Sequence, residues 1–396
     1  MTNWFSQIWT LTAFNLRTLP QRKGSAFAAM VGIAGVVTVL ISVLSIGHGI
    51  QRAVTASGDP EQVIVLRSGS DTEMTSILGR DETNIVAEAP GVARNGDKPS
   101  VSPELFVIIN LPKRTTGTDA NVPLRGVEAQ VFDVRRHVKI TEGRMFEWGK
   151  TEVIVGRGAQ IEFTGLDLGS TIEVGRNQWK VVGIFEAKGG LEESEIWTDA
   201  AVLGPAYQRG SSYQSAMVRL ASAGSYQTFK DALTSDPRLN VKVERVSEYF
   251  ASQSKLLNGL ITGLGSIVAG LMGLGAIFGA LNTMYTAVAA RSREIATLKA
   301  LGFRSFPVII SVIAESLVLA AVGGIAGAVL AWIAFDGYRA ATMNWQSFSQ
   351  VTFAFEVSPR LLIEGILYAM LIGTIGGLFP AIRAARQPVA VALRGD

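Results

Sequence analysis

The fourteen residues from Arg291 to Arg304, RSREIATLKALGFR, decide how this chain is read. They form a charged island between two apolar runs: Leu256 to Ala290 carries no charge, and Ser305 to Phe335 carries one acid, Glu315. Each flank exceeds the roughly 20 residues needed to cross a bilayer. Within the island Ser292 is placed to cap a helix, Glu294 falls in its first turn and Lys299 in its last. That is the order a helix dipole favours, and Gly302 is placed to end the helix with positive φ. Ile295, Leu298 and Leu301 are expected to share one face. A short amphipathic helix at a membrane border is what a membrane subunit needs to dock a soluble motor. An ordinary basic loop obeying the positive-inside rule accounts for the same charges.

Charge distribution extends that reading to the whole chain. The 396 residues are 48% hydrophobic with positive mean hydropathy, too apolar for a typical soluble protein and too charged in the middle to be wholly membrane. Formal net charge is +3, yet residues 1–24 carry +3, 286–305 carry +3 and 382–396 carry +2, which leaves −5 for everything else. A basic inner face and a mildly acidic exterior follow, with both termini inside. The pI of 9.1 therefore reflects topology and gives no reason to infer nucleic-acid binding. With no cysteine, disulfides, cysteine zinc sites and thiol chemistry are excluded.

Working outward, residues 1–23 place Trp4, Phe5, Ile8, Trp9, Leu11 and Leu16 at helical spacing and read as an amphipathic helix in the inner interface. Residues 24–51 form an uncharged first transmembrane helix, TM1, too long for a signal-peptide core. From 52 to 255 short alternating runs with Gly, Pro and Asp punctuation predict an extracytoplasmic domain built largely of strands, including 62–67, 105–110, 122–127, 152–155, 171–174, 179–185 and 216–220. Helices are expected at 225–234 and 246–255, and mobile connections at 89–103 and 110–120. Residues 256–290 form TM2 with a projecting stalk, 305–335 TM3, 336–360 an external loop, 361–382 TM4 and 383–396 a cytosolic tail. The fold class is thus an α+β membrane protein: four transmembrane helices with a large mixed α/β extracytoplasmic domain between TM1 and TM2.

Several residues are candidate sites. Gly259 and Gly263, Gly275 and Gly279, and Gly323 and Gly327 are each four apart, a spacing that lets helices approach closely, either within one subunit or along a dimer seam. Glu315, about eleven residues into TM3, is costly at that depth unless it meets a partner such as Arg291, Arg293 or Arg304, the alternative being a snorkelling carboxylate. His48 and His137 read as ordinary surface or loop residues, and Glu192, Glu193 and Glu195 as a solvated loop. No catalytic or metal-binding constellation stands out. No GxxxxGK[ST] loop is present, so no nucleotide site is placed on this chain.

The string REIATLKALGF (residues 293–303) closely resembles the motif after the second transmembrane helix of MacB-type (FtsX-like) ABC transporter permeases, a family related to the LolC and LolE lipoprotein-releasing permeases. EGRMF at 142–146, EVIVGRGAQIEF at 152–163 and LDLGSTIEVGRNQWKVVGIF at 166–185 are similar to that family's central extracytoplasmic lobe, and the ending from Pro380 through Arg383 and Pro388 to Leu393 is similar to its close. The resemblance implies that Arg291, Arg293, Glu294, Ile295, Leu298, Lys299, Leu301 and Gly302 couple to an ATPase and that Glu315 braces the coupling helix. It also implies an outer lobe at 111–209 inserted in a basal lobe at 52–110 and 210–250.

Expected partners are an ABC ATPase dimer holding ATP and Mg, a second permease copy or close relative, membrane lipids, and a periplasmic adaptor or membrane-fusion protein as a further candidate. MacB itself carries its ATPase fused at the amino terminus, whereas 23 residues precede TM1 here, so a separate ATPase is expected. The function implied is mechanotransmission driving export or extraction of a lipid, lipoprotein, peptide or amphipathic small molecule. The alternative is an FtsX-like regulator of an external partner such as a cell-wall hydrolase. A membrane-anchored enzyme is disfavoured by the lack of catalytic groups.

Overall fold

The structure, a computed structural model, describes residues 8–9, 12–13, 23–175, 177–301, 304–344 and 348–389. Most of the amphipathic segment read over 1–23, Gly302, and the tail beyond residue 389 lie outside the described residues.

Among the described residues, four helices are long and apolar enough to cross a membrane. TM1 occupies Lys23–Ala56, five residues beyond the expected end, because residues 51–57 hold neither Gly nor Pro and the first breakers after them are Gly58 and Pro60. TM2 belongs to one helix of 45 residues, Val246–Ala290, so the segment 246–255 does run unbroken into the span. TM3 is Ser305–Phe335, as read from the sequence. TM4 is Pro359–Arg386, opened by Ser358 as N-cap with proline in the first turn, where its missing N–H costs nothing.

Close backbone approach organises this bundle. A Cβ at Gly323 would lie 2.8 Å from Met30 O, and one at Gly327 would strike Ala34 O, so both glycines seat TM3 against TM1. TM4 meets TM3 at Gly373 and Gly377 beside Ser316, whose Oγ donates to Gly373 O at 2.6 Å. By contrast a Cβ at Gly259, Gly263, Gly275 or Gly279 would meet nothing within 4 Å. The small-residue pairs therefore divide: that of TM3 packs within the chain, and those of TM2 leave open surface.

A second compact unit comprises Gly49–Asn258 together with Arg339–Ala354. Its centre is a ten-stranded mixed sheet in the order Val241–Arg245, Gln62–Arg67, Ser215–Arg219, Val101–Pro112, Asp119–Val127, Ile196–Asp199, Glu152–Gly156, Asn177–Glu186, Lys139–Gly143, with Thr171–Val174 also paired to Asn177–Glu186. Two pairings are parallel, Ile196–Asp199 with Asp119–Val127 and Asn177–Glu186 with Glu152–Gly156. Strand residues alternate between faces, and here both faces are covered. Val63 and Val65 enter one core with Val218, Phe229 and Val243, while Ile64 and Leu66 enter another with Met217, Val246 and Tyr249. A larger core around Leu124, Val153, Trp179 and Ile196 fills the other half of the sheet.

Strand Val101–Pro112 joins the halves. Val101–Glu104 pair with Ser215–Val218, and Leu105–Pro112 pair with Asp119–Gly126. The boundary drawn at 110/111 falls inside this strand, and the change of partner lies at Glu104/Leu105. Residues 110–120 are not a mobile connection either: Asn110, Leu111 and Pro112 pair with Asn121, Ala120 and Asp119, closing a long hairpin whose backbone groups satisfy one another. Within 89–103, likewise, Arg94–Asn95 pair with Lys98–Pro99.

The loop read over 336–360 is also structured. Arg339–Asn344 and Ser349–Ala354 form an antiparallel hairpin that belongs to the strand-rich unit. Thr352 N donates to Ser194 Oγ at 2.8 Å, and Asn121 Nδ2 donates to Phe348 O at 2.7 Å. Val351, Thr352 and Phe353 favour a strand, weak evidence in so short a run, and form one once those partners are supplied.

Candidate functional site

After TM2 the chain turns at Arg291 and forms a second helix, Ser292–Ala300. The cap is Arg291, at φ −105° and ψ 10°, and its side chain makes no capping hydrogen bond. Ser292 is thus its first helical residue and not its cap, because Ile295 N already bonds to Arg291 O at 2.9 Å. Glu294 in the first turn and Lys299 in the last complement the helix dipole as expected.

At about 100° per residue this helix separates into two arcs. Ser292, Ile295, Ala296, Leu298 and Lys299 turn inward and are buried or half-buried. Ile295 and Leu298 pack beside Met284 and Val288 of TM2, Val308 and Val312 of TM3, and Ala381 and Ala384 of TM4. Arg293, Glu294, Thr297, Ala300 and Leu301 lie within a continuous exposed arc. Leu301 does not share the face of Ile295 and Leu298, contrary to the sequence reading. Six residues beyond Ile295 it has rotated by roughly 120° from it, and it is 73% exposed.

Charge fixes the inner arc. Arg291 Nη1 lies 3.3 Å from Glu315 Oε2 of TM3, with both side chains almost wholly buried. A carboxylate in this setting is sustained by its partner and is not a snorkelling one. Lys299 Nζ donates to Ala385 O and Gln387 O, each at 2.9 Å, and Ser305 Oγ donates to Ala385 O at 3.2 Å, satisfying carbonyls that the end of TM4 leaves open. Of the residues nominated for coupling, Arg291, Ile295, Leu298 and Lys299 hold the helix to its own bundle. Arg293, Glu294 and Leu301 face outward, and Gly302 lies outside the described residues. The helix is clamped to three spans at once, so a force on its outer arc is a force on all three.

A second polar constellation, missed in the sequence, lies inside the strand-rich unit. Arg125 is 1% exposed and uses all five guanidinium N–H groups: to Glu73 at 2.7 and 3.0 Å, Glu104 at 2.8 Å and Glu195 at 2.7 and 2.8 Å. Arg135 binds both oxygens of Glu104, while Ser215 Oγ and Trp197 Nε1 donate to Glu73 and Glu195, each at 2.7 Å. Burial raises the Glu195 carboxyl above the ordinary carboxylate range despite Arg125. For Glu73 burial acts the same way, but the charge of Arg125 and hydrogen bonds from Arg125 and Ser215 outweigh it and leave the group below that range.

Glu192, Glu193 and Glu195 are therefore buried, not a solvated loop, and His137 is a buried neighbour of Glu192 at 3.3 Å, not a surface residue. Glu193 accepts the N–H groups of Ala187 and Gly189 at 2.9 and 2.7 Å. His48 is part of the TM1 helix. Among the described residues no group of three or more His, Asp or Glu is arranged to hold a metal ion.

The arrangement of a strand-rich domain after TM1 and three further spans matches two family models. One, for a MacB-like periplasmic core domain, covers residues 26–236, more than half the chain, and the other, for an FtsX-like permease C-terminal domain, covers 266–389. The chain belongs to the MacB-like permease family. Members are membrane subunits of ABC transporters. A macrolide export ATP-binding/permease protein MacB of Paracoccus denitrificans is 26% identical over 403 residues, covering 96% of this chain, which in turn spans 58% of that relative's length. An ABC transporter permease of Methanocaldococcus jannaschii is 20% identical over 411 residues, covering 98% of both chains. The periplasmic region of MacB from Actinobacillus actinomycetemcomitans is similar to 50% of this chain over 94% of its own length, with 14% identity and a TM-score of 0.37.

Proposed function

We propose that this permease couples ATP hydrolysis on a separate ABC ATPase dimer to export or extraction of a lipid, lipoprotein, peptide or amphipathic small molecule, a macrolide among them. The chain itself hydrolyses nothing; ATP and Mg belong to the ATPase. Both termini and helix Ser292–Ala300 lie in the cytosol, and the strand-rich unit lies in the periplasm. A second permease, identical or closely related, completes the complex, and the open glycine surface of TM2 supplies its seam. A periplasmic adaptor is compatible with this arrangement.

The observation that carries the reading is the division of helix Ser292–Ala300 into an inner arc anchored by Arg291–Glu315 and Lys299 and an outer arc of Arg293, Glu294, Thr297, Ala300 and Leu301. Closure of the ATPase pair would press on the outer arc, and the inner arc would pass the displacement to TM2, whose helix continues without a break to Val246.

The test is purification of the tagged chain from its native membrane, with Glu173→Cys as a topology marker in the cysteine-free background. An ATPase should copurify, its hydrolysis should rise with amphipathic compounds, and the cysteine should react with an impermeant maleimide from outside. Capture of an external hydrolase without any cargo response would replace transport by regulation. Absence of an ATPase, or labelling only after the cytosol is opened, would overturn the proposal.

A further inference from the structure

Beside the docking helix, where TM2 and TM4 end, lies a cleft of about 810 Å³. Its lining changes character along its length. Phe379 and Ile382 of TM4 and Val288 of TM2 form an apolar wall, while Arg383 and Arg386 of TM4 and Ser292 of the docking helix form a polar lip. Phe379 is 56% exposed. Both arginines are exposed, Arg383 stacks its guanidinium 5.6 Å from the Tyr285 ring centroid, and among the described residues neither forms an ion pair with an acid. Two acids of the neighbouring elements are committed or turned away: Glu315 of TM3 pairs with Arg291, and Glu294 belongs to the outer arc of the docking helix.

An anion beside the carboxyl end of a helix would ordinarily be repelled by its open carbonyls. Here Lys299 Nζ already binds Ala385 O and Gln387 O, which quenches that end of TM4 and adds a third positive charge. The docking helix, nine residues long, contributes Ser292 from its amino-terminal turn, the end that favours negative charge.

We infer that this cleft binds the phosphodiester headgroup of an anionic phospholipid, with Arg383 and Arg386 on the phosphate and an acyl chain along Phe379. The assignment rests on the reading that this end of the bundle lies at a membrane surface. Free phosphate would use the arginines and leave the apolar wall uncovered; an amphiphile uses both, and basic pockets between spans are favourable sites for such headgroups.

The experiment uses the full chain extracted from vesicles of phosphatidylethanolamine and phosphatidylglycerol, with retained lipid counted by native mass spectrometry. It requires no ATPase, so its outcome is separate from that of the coupling proposal. The wild type should retain phosphatidylglycerol in preference to phosphatidylethanolamine, and Arg383→Gln/Arg386→Gln should reduce that retention roughly tenfold. Arg386→Gln alone should give an intermediate loss if the double variant folds poorly, and Arg360→Gln, at the other end of TM4, should behave as wild type. Equal retention of both lipids, unchanged retention in the arginine variants, or displacement by millimolar inorganic phosphate would overturn the assignment. So would cross-linking of a protein partner into the cleft from position 386 with lipid retention unaffected.

Discussion

Replacing Glu315 by glutamine keeps the shape of the side chain and one acceptor oxygen but removes its charge, so Arg291 loses its carboxylate partner. At 3.3 Å, and with an effective dielectric constant of about 20, the pair attracts by about 5 kcal/mol. Desolvation consumes part of that, and breaking a buried pair on one side typically costs at least about 3 kcal/mol. Lifting of the docking helix from the bundle relieves that penalty by returning Arg291 to water. That motion exposes Ala296, which is 3% exposed in the closed arrangement. The chain has no cysteine, so Ala296→Cys reports lifting through its rate of maleimide labelling, without background. At 1.4 kcal/mol per tenfold, Glu315→Gln should accelerate labelling roughly a hundredfold. The double variant Arg291→Gln/Glu315→Gln should recover most of that factor, because both charges of the pair are removed together. Labelling rates within about threefold of each other in all three backgrounds would refute the clamp.

Two further outcomes test the strand-rich unit. Arg125→Met leaves Glu73, Glu104 and Glu195 facing one remaining guanidinium, that of Arg135, and should lower the unfolding temperature followed through buried Trp179 and Trp197 by roughly 10 °C; a shift below about 2 °C would contradict the network. Hydrogen bonds from Arg144 hold the Glu152 carboxyl at about 2 against the ordinary 4.5, so its contribution is present above 4.5 and is lost as pH falls from there toward 2. Because Arg144 is half exposed, that contribution is about 1 kcal/mol or less. Glu152→Gln should reduce stability at neutral pH and flatten the acid limb of the unfolding profile. An unchanged limb would count against the pairing.

The spans were legible because their signal is local: an apolar run bounded by Arg304 and Asp336, with Glu315 its single charge, fixes TM3 without reference to any other residue. Strands such as Gln62–Arg67 and Thr171–Val174 were readable for the same reason, and the family's wording in REIATLKALGF located the docking helix. What escaped was non-local. Arg125 finds Glu73 and Glu195 at separations of 52 and 70 residues, and nothing in the run Leu191 to Glu195 distinguishes an acid that meets a buried guanidinium from one that meets water. The hairpin Arg339–Ala354 likewise depends on Ser194 and Asn121, supplied from another stretch of chain. Within the docking helix, spacing identified the apolar residues, and rotation of about 100° per residue already sets Leu301 roughly 120° from Ile295, so that split was legible in the spacing.

The most direct measurement attaches a short thiol-to-amine cross-linker at Glu294→Cys in the cysteine-free chain, purifies the complex, and maps the product by mass spectrometry. The outer arc should capture a nucleotide-hydrolysing subunit efficiently, whereas the same reagent on the inner arc at Ala296→Cys should capture little. Capture from the inner arc alone, or none of that subunit from either position while it joins the chain elsewhere, would contradict the account.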